Sequence, residues 1–332
     1  MMVLAHELGD RDSDYSDMPS AGGPQHTQQH SPRGLLTPLW APLSNHIQLE
    51  RTAPLFRRDP EFIRRQLAKV STYTNLFSPE VIGLNNLPAS GPVLLVGNHS
   101  CLFYMPDAWV VALSIIRRRG LERPAYALAY DLLFSVPGVG SFLRRIGAIP
   151  AGGREAEEAL AQDAALLVYP GGDLEACRSW RQRNHIDFGG HTGFVKLALR
   201  TGVPVVPVVA YGSHDAVVVI SRGDALARLL GLDRLRIKVF PILLGPLGLT
   251  SILTPPLPMP TAITVQFLPP LDWGERGCDP DNEADVRACY EEITTIMQAT
   301  LDRLHAENPH PVRRGIANLI RHRAMQWEEA PT

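Results

Sequence analysis

Hydrophobic runs and amphipathic segments alternate along the middle of the chain. Apolar runs that predict strands stand at 81–84, 91–97, 125–130, 165–170, 204–212 and 262–268. Apolar residues at helical spacing predict helices at 106–120, 138–147, 153–162 and 192–202, and one that begins at Pro60 with Asp59 as its N-cap. Strands separated by helices of about ten residues are typical of a mostly parallel sheet flanked by helices. The pattern therefore predicts an α/β fold.

Both ends of the chain differ from this middle part. Residues 1–45 are rich in Gly, Ser, Pro, Gln, His and Asp and have little periodicity, which predicts a disordered tail. An amphipathic helix is predicted at 283–305, and a basic one follows from Pro311, with Ile316, Leu319 and Ile320 on one face. We therefore predict a tail over 1–45, one domain over 59–275, and C-terminal amphipathic helices over 281–330.

The segment 239–271 carries no charged side chain. Its eight prolines break every candidate helix well short of the ~20 residues that a membrane span requires. Part of the segment fits a buried strand, whereas PILLGPLGLTSIL at 241–253 favours a surface that dips into a bilayer or accepts an acyl chain. Together with the basic terminal helix, this predicts a peripheral or monotopic protein on the cytoplasmic face of a membrane.

Composition narrows the classes of partner and site. The net charge of −2 gives no basic field for nucleic acid, and we expect no nucleic-acid partner. Arginines cluster near both ends, where solvated helix faces and contact with a membrane surface are equally good explanations. Four scattered cysteines lack CxxC spacing, which argues against a disulfide framework and a structural zinc site. His185, Asp187, His191 and His214 match no known zinc pattern, so we expect no metal.

The stretch GNHSCLFYMPDAW at 97–109 carries the candidate chemistry. His99 follows a buried strand and precedes a helix, the position at which sites cluster in open α/β sheets. A histidine there can accept the proton of an attacking hydroxyl, and Asp107 is the nearest carboxylate that could orient it. Purely structural roles are also open: His99 can close a strand, and Asp107 can stabilise the first turn of a helix.

Four blocks in order give the chain a family resemblance. They are Asn98-His99-Ser100 with Asp107, GAIPAGGR at 147–154, LVYPGG at 167–172 and VPVVPV at 203–208. Over about residues 60 to 215, this set resembles the glycerolipid acyltransferase family, the group that includes lysophosphatidate acyltransferases. The resemblance implies an O-acyltransferase that moves a fatty acyl group from acyl-CoA or an acyl-carrier protein to a lipid hydroxyl, with no cofactor. It also implies that His99 is the general base and that Asp107 is its partner.

The chain departs from the family pattern in three blocks, as a divergent branch would. The second block has one additional residue before Arg154. Seven residues separate His99 from Asp107 where the family has four.

In the third block the family's Glu-Gly-Thr-Arg becomes Gly-Gly-Asp-Leu at 171–174, and the next arginine is Arg178. An aspartate would repel a phosphate, although Arg178, Arg181 and Arg183 of the same loop could still bind one, so a phosphorylated acceptor stays open. The double change of Glu to Gly and Thr to Asp resembles branches of the family that act on neutral acceptors such as diacylglycerol or long-chain alcohols.

The same resemblance implies the residues that bind substrate. Gly171 and Gly172 would let a backbone N–H approach the reacting oxygen. Arg154 and Arg178 would contact anionic groups of the substrates. Two other functions stay open on the sequence: a lipid esterase that uses His99 to activate water, and a lipid-binding protein of the same fold without turnover.

Overall fold

The computed structural model of the chain describes residues 56–100, 104–231, 239–251, 254 and 256–321. The predicted tail over 1–45 lies outside the described residues, as does the chain beyond residue 321. The division into three parts therefore stays a prediction.

A seven-stranded sheet forms the centre of the fold. The strands in chain order are β1 (Glu80–Ile82), β2 (Val93–Gly97), β3 (Ala125–Ala129), β4 (Ala148–Pro150), β5 (Ala165–Val168), β6 (Val205–Tyr211) and, after three strands of a second sheet, β10 (Thr264–Phe267). Their order across the sheet is β1-β10-β6-β2-β5-β3-β4. Every neighbouring pair is parallel except β10 and β6. The predicted mostly parallel α/β fold is confirmed.

Helices cover both faces of this sheet. They are α1 (Pro60–Asn75), α2 (Pro106–Arg119), α3 (Val139–Arg145), α4 (Gly153–Ala161), α5 (Gly172–Ala176), α6 (Gly193–Thr201), α7 (Asp224–Leu229), α8 (Glu283–Glu307) and α9 (Pro311–Ile320). Side chains of a strand alternate between faces, and β2 shows the consequence. Leu94 and Val96 join the core beside α6 and α8, whereas Val93 and Leu95 join the core beside α2. All four side chains are fully buried, so β2 is the central strand of the core.

Part of the uncharged segment 239–271 belongs to a second, antiparallel sheet. It contains β7 (Val218–Ser221), β8 (Ile242–Gly245) and β9 (Gly248–Ser251), in that order. The strand predicted at 262–268 is confirmed as β10. In the described residues, no helix is both long enough and apolar enough to cross a bilayer.

Two short elements differ from the predicted pattern. The sequence indicates no separate strand at β4 and no helix at α5, because three and five residues are too short for a periodicity to be recognised. The first C-terminal helix agrees with the prediction, since α8 starts at Glu283 and ends two residues beyond the predicted end. These short elements matter because α5 carries one wall of the candidate site.

Candidate active site

The candidate site is built where β2 ends. Asn98 follows the last residue of β2 and pairs with the backbone of β6: its Nδ2 donates to the Ala210 carbonyl at 2.9 Å, and its Oδ1 accepts the Ala210 N–H at 2.8 Å. The amide side chain therefore extends the sheet by one step and fixes the turn that leads into His99. His99 itself is fully buried.

Asp107 lies beside His99 despite the long spacing in sequence. Asp107 is in the first turn of α2 and is fully buried, and its Oδ2 is 3.6 Å from His99 Nδ1. This distance is longer than a hydrogen bond, and the same oxygen accepts the Ser100 N–H at 3.3 Å. Among the described residues, neither ring nitrogen of His99 has a hydrogen-bond partner. The two groups are thus adjacent but not bonded.

Tyr169 forms one side of the pocket around His99. The two rings stack with centroids 4.7 Å apart. This packing requires a glycine at the end of β2, because a Cβ at Gly97 would lie 2.6 Å from the Tyr169 ring. Burial, and then the nearby carboxylates of Asp107 and Glu175, raise the pKa of Tyr169 well above its usual value. The phenol is therefore neutral at physiological pH.

Glu175, on α5, accepts a hydrogen bond from the backbone of His99. Its Oε2 accepts the backbone N–H of His99 at 2.9 Å, while its Oε1 accepts from Arg178 Nη2 at 2.5 Å and from the Asp187 N–H at 3.3 Å. Burial raises the pKa of the Glu175 carboxyl, whereas Arg178 and the His99 N–H act to lower it. Glu175 is fully buried and Arg178 nearly so, so the two form an interior ion pair next to the candidate base.

The two glycines of the third block are placed differently from each other. A Cβ on Gly171 would lie 2.1 Å from Glu175 Cγ and 2.5 Å from its Cδ, so the Glu175 side chain fills the space above Gly171. The Gly172 N–H donates to the Tyr169 carbonyl at 3.1 Å and closes a turn. That N–H is therefore already bonded within the chain, and the predicted approach of a backbone N–H to a substrate oxygen stays a prediction.

The two predicted arginines also differ in their surroundings. Arg154 lies on α4 with 84% of its side chain exposed and pairs with Glu158 one turn later, so its described contacts do not link it to His99. Arg178 is brought next to the site, but as the partner of Glu175. Its Nη1 has no hydrogen-bond partner among the described residues. Across the residues that the structure describes, no group of three or more His, Cys, Asp or Glu is placed to hold a metal ion.

Sequence reasoning missed Tyr169 and Glu175. A signal for Glu175 exists in LEACR: Glu175 and Arg178 are three residues apart, which is the spacing of a helical ion pair. Nothing in the sequence shows that this pair faces inward. Tyr169 ends the apolar run ALLVY, where an aromatic residue looks like one more core position.

An apolar cavity of about 160 Å³ borders this pocket. It lies between α1, α2 and the strands β3 and β4, and Tyr169, Met105 and Ala108 line the part next to the site. Leu67 and Ile116 line it further along the helices. The residues from Ala108 to Ile116 span about 12 Å of helix axis. The cavity therefore offers an apolar space whose lining includes Tyr169, the residue that stacks on His99.

Several known proteins are similar to this chain in sequence. Residues 78–211 match the Acyltransferase family, a range that includes His99, Asp107, Tyr169 and Glu175. An uncharacterized protein of Mycobacterium tuberculosis is 29% identical over 255 residues, which is 76% of this chain and 69% of the relative. Phytyl ester synthase 1 of Arabidopsis thaliana is 27% identical over 164 residues, which is 46% of this chain and 22% of that protein.

One solved structure is also similar. The crystal structure of the 1-acyl-sn-glycerophosphate acyltransferase PlsC from Thermotoga maritima has a TM-score of 0.44 and 20% identity, and the match covers 80% of this chain and 96% of that chain. The family match coincides with the part of the sheet that surrounds His99, from β1 to β6. Residues 78–211 of this chain therefore match the Acyltransferase family, and the relatives named above are similar over a longer part of the chain.

Proposed function

We propose that this protein is an O-acyltransferase that moves a fatty acyl group from an acyl thioester, acyl-CoA or acyl-carrier protein, to a lipid hydroxyl. The observation that carries the proposal is the placement of His99: a buried imidazole with unbonded nitrogens, beside Asp107, at the carboxyl end of the central strand. A buried base without a protein hydrogen-bond partner is available for a substrate proton.

The reaction follows from general-base chemistry. The Nε2 atom of His99 accepts the proton of the acceptor hydroxyl as its oxygen attacks the thioester carbonyl. The tetrahedral intermediate then expels the thiolate, which takes the proton from the imidazolium and leaves as the thiol. Asp107 stabilises the transient imidazolium by its charge at 3.6 Å. The histidine is neutral again after each turnover, and no acyl group is bonded to the enzyme.

The apolar cavity supports an acyl donor. Its walls are almost entirely hydrocarbon, including the Leu67, Ala108 and Ile116 side chains, and one lining residue is Tyr169, whose ring stacks on His99. A fatty chain that lies along α2 would gain about 25 cal/mol for each Å² of apolar surface removed from water. A chain seated there has its carboxyl end next to the base, as transfer of that acyl group requires.

The charges around His99 favour a neutral acceptor. Asp107, Asp173 and Glu175 are buried near the third block, and the nearby Arg178 is paired with Glu175. A phosphate would meet these carboxylates, and the charge of the Arg178 guanidinium beside them is already balanced by Glu175. The name of the Arabidopsis relative, a phytyl ester synthase, is consistent with ester formation on an alcohol. We therefore propose a long-chain alcohol or diacylglycerol as the acceptor class.

The test is ester formation by the full chain from palmitoyl-CoA, with four acceptor conditions: a long-chain alcohol, diacylglycerol, lysophosphatidate, and none. We expect ester with the first two and little product with lysophosphatidate, because the buried carboxylates near His99 would repel its phosphate. Thiol release at the same rate with and without acceptor would identify a hydrolase. No turnover of any thioester would favour a lipid-binding protein, and preference for lysophosphatidate would contradict the neutral acceptor.

We also propose that the second sheet attaches the protein to the bilayer. Along β8, Leu243 is buried while Ile242 and Leu244 are exposed. Leu247 in the adjoining turn is 81% exposed, and Leu249 on β9 is 69% exposed. The sheet packs on Tyr104 in the loop between His99 and Asp107. Apolar side chains displayed in this way are typical of a membrane contact, here beside the loop of the candidate site.

The double variant Leu247→Glu/Leu249→Glu is therefore expected to release the protein from membranes. Full burial of a leucine is favourable by about 1.5–3 kcal/mol, so losing two should lower partition into anionic phospholipid vesicles by about 10²-fold or more. Flotation of the full chain with vesicles measures the partition. The control is Val136→Glu, which adds a charge at another exposed apolar residue, between β3 and α3. Unchanged flotation of the double variant would exclude the second sheet as the anchor.

A further inference from the structure

We propose that Glu175 is the positioning residue of His99. Its side chain lies in the space beside Gly171 and reaches the backbone of His99 from there. In this proposal, the carboxylate sets the place of the candidate base by holding its backbone N–H. The inference rests on the proposed general-base role of His99 and adds a residue to that site.

The first observation is the hydrogen bond itself. Glu175 Oε2 accepts the N–H of His99 at 2.9 Å, so the carboxylate bonds to the residue that carries the base. Hydrogen bonds to a charged acceptor are about twice as strong as neutral ones. The peptide of His99 is thus fixed from the α5 side, while the Asn98 amide fixes the preceding residue from β6.

The second observation is that Glu175 is itself immobilised. Its Oε1 accepts from Arg178 and from the Asp187 N–H. Its backbone carbonyl accepts from His214 Nε2 at 3.0 Å. A carbonyl can only accept, so Nε2 of His214 carries a proton, and burial together with Arg178 lowers the pKa of this histidine well below its usual value. A neutral donor therefore holds the Glu175 backbone, and an ion pair holds its side chain.

The third observation indicates that Glu175 positions His99 and does not contact the substrate itself. Both carboxylate oxygens of Glu175 already accept hydrogen bonds from the chain, and the residue is fully buried. Its oxygens are therefore engaged within the protein instead of being directed at a substrate. The effect of Glu175 on the reaction has to pass through His99.

Gly171 makes this arrangement possible. The position that a Cβ of residue 171 would take lies 2.1 Å from Glu175 Cγ, so only a residue without a side chain can stand there. The family resemblance expects a glutamate at position 171. In this chain the carboxylate occupies the same space but belongs to a residue one helical turn later. The apparent loss of a glutamate from the third block is therefore a relocation.

The experiment compares three variants of the full chain in the palmitoyl-CoA assay. Glu175→Gln keeps the size of the side chain and removes its charge. It is expected to lower kcat by about 10- to 10²-fold with little change in KM for the thioester, because a displaced base affects the chemical step. The double variant Gly171→Glu/Glu175→Ala removes the carboxylate at position 175 and supplies one from position 171 instead. It should recover most of kcat. Glu291→Gln, which breaks an exposed ion pair with Arg287, is the matched control and should leave kcat unchanged.

A second measurement does not depend on activity. In protein labelled with ¹⁵N-histidine, the amide proton of His99, assigned by its absence in His99→Gln, is expected downfield because its acceptor is a carboxylate. It should move upfield in Glu175→Gln and return in the double variant. A wild-type signal at the position of an ordinary amide would overturn the inference even if a variant fails to fold. Wild-type kcat in folded Glu175→Gln would also overturn it.

Failure of this inference and failure of the proposed function give different results. If His99→Ala keeps full transferase activity, the general-base role is wrong, whatever the amide signal shows. If His99→Ala is inactive but Glu175→Gln is fully active, the base stands and the positioning role falls.

Discussion

Replacing His99 with alanine is expected to lower acyl transfer by about 10²- to 10⁴-fold, the range contributed by a general base. The imidazole has no bonded partner among the described residues, so its removal takes away the proton acceptor while few hydrogen bonds of the fold are lost. The measurement is ester formation from palmitoyl-CoA and a long-chain alcohol by purified full-length protein. Thermal unfolding of the same sample shows whether the variant is folded.

Asp107→Asn should have a smaller effect than His99→Ala. The carboxylate lies 3.6 Å from the ring and acts through its charge, and asparagine can still accept the Ser100 N–H. His185→Ala, at an exposed histidine outside the site, is the control and should keep normal activity. A folded His99→Ala protein with undiminished transfer would contradict the mechanism, and full activity of Asp107→Asn would remove Asp107 from it.

Arg178→Met is expected to cost about 3–5 kcal/mol in the free energy of unfolding, because it leaves the buried Glu175 carboxylate without its charge partner. The effect is large because both side chains are in the interior, where solvent does not screen them. Urea denaturation at several pH values measures it. Arg287→Met, which breaks an exposed pair with Glu291, is the control and should change stability by less than about 1 kcal/mol.

The pH dependence of this variant has a definite sign. Burial already raises the pKa of Glu175, and loss of Arg178 removes an interaction that lowers it. Between the ordinary value of 4.5 and the raised pKa, the native state binds more protons than the unfolded state, so stability falls as pH rises. The deficit of Arg178→Met should therefore be larger at pH 8 than at pH 5. A deficit that is the same at both values would show that Glu175 does not bind a proton in the variant.

The strand pattern could be predicted from sequence because burial on both faces leaves a direct signature. The runs that became β2 and β6 are apolar at every position, and such runs are typical of a parallel sheet between helices. The neighbours of each strand could not be predicted. Nothing in AITVQFL indicates that β10 lies between β1 and β6, parallel to β1 and antiparallel to β6, because a buried run has the same composition in either direction.

At the site, the sequence singles out His99 as the candidate base but does not show the residues that hold it. His99 can be singled out because it follows a buried strand, and position in an α/β sheet is a guide to function. The Glu175 side chain packs against Gly171 because the two residues are one turn apart along α5. This helix has five residues, which are too few to show a periodicity in the sequence. The exposed leucines of the second sheet were predicted as a lipid-facing surface, but their strand pairing depends on the turn between Gly245 and Gly248.

The place of β10 in the sheet has a consequence for how this protein is made. Within the sheet β1 pairs only with β10, although about 180 residues separate them, and β10 also covers the outer edge of β6. During synthesis the segment that carries the family motifs leaves the ribosome first, with β1 unpaired and one edge of β6 open. That segment must wait for residues 264–267 before its sheet is continuous. The catalytic motifs and the chain that follows them therefore form one folding unit, and non-local pairing of this kind is slow.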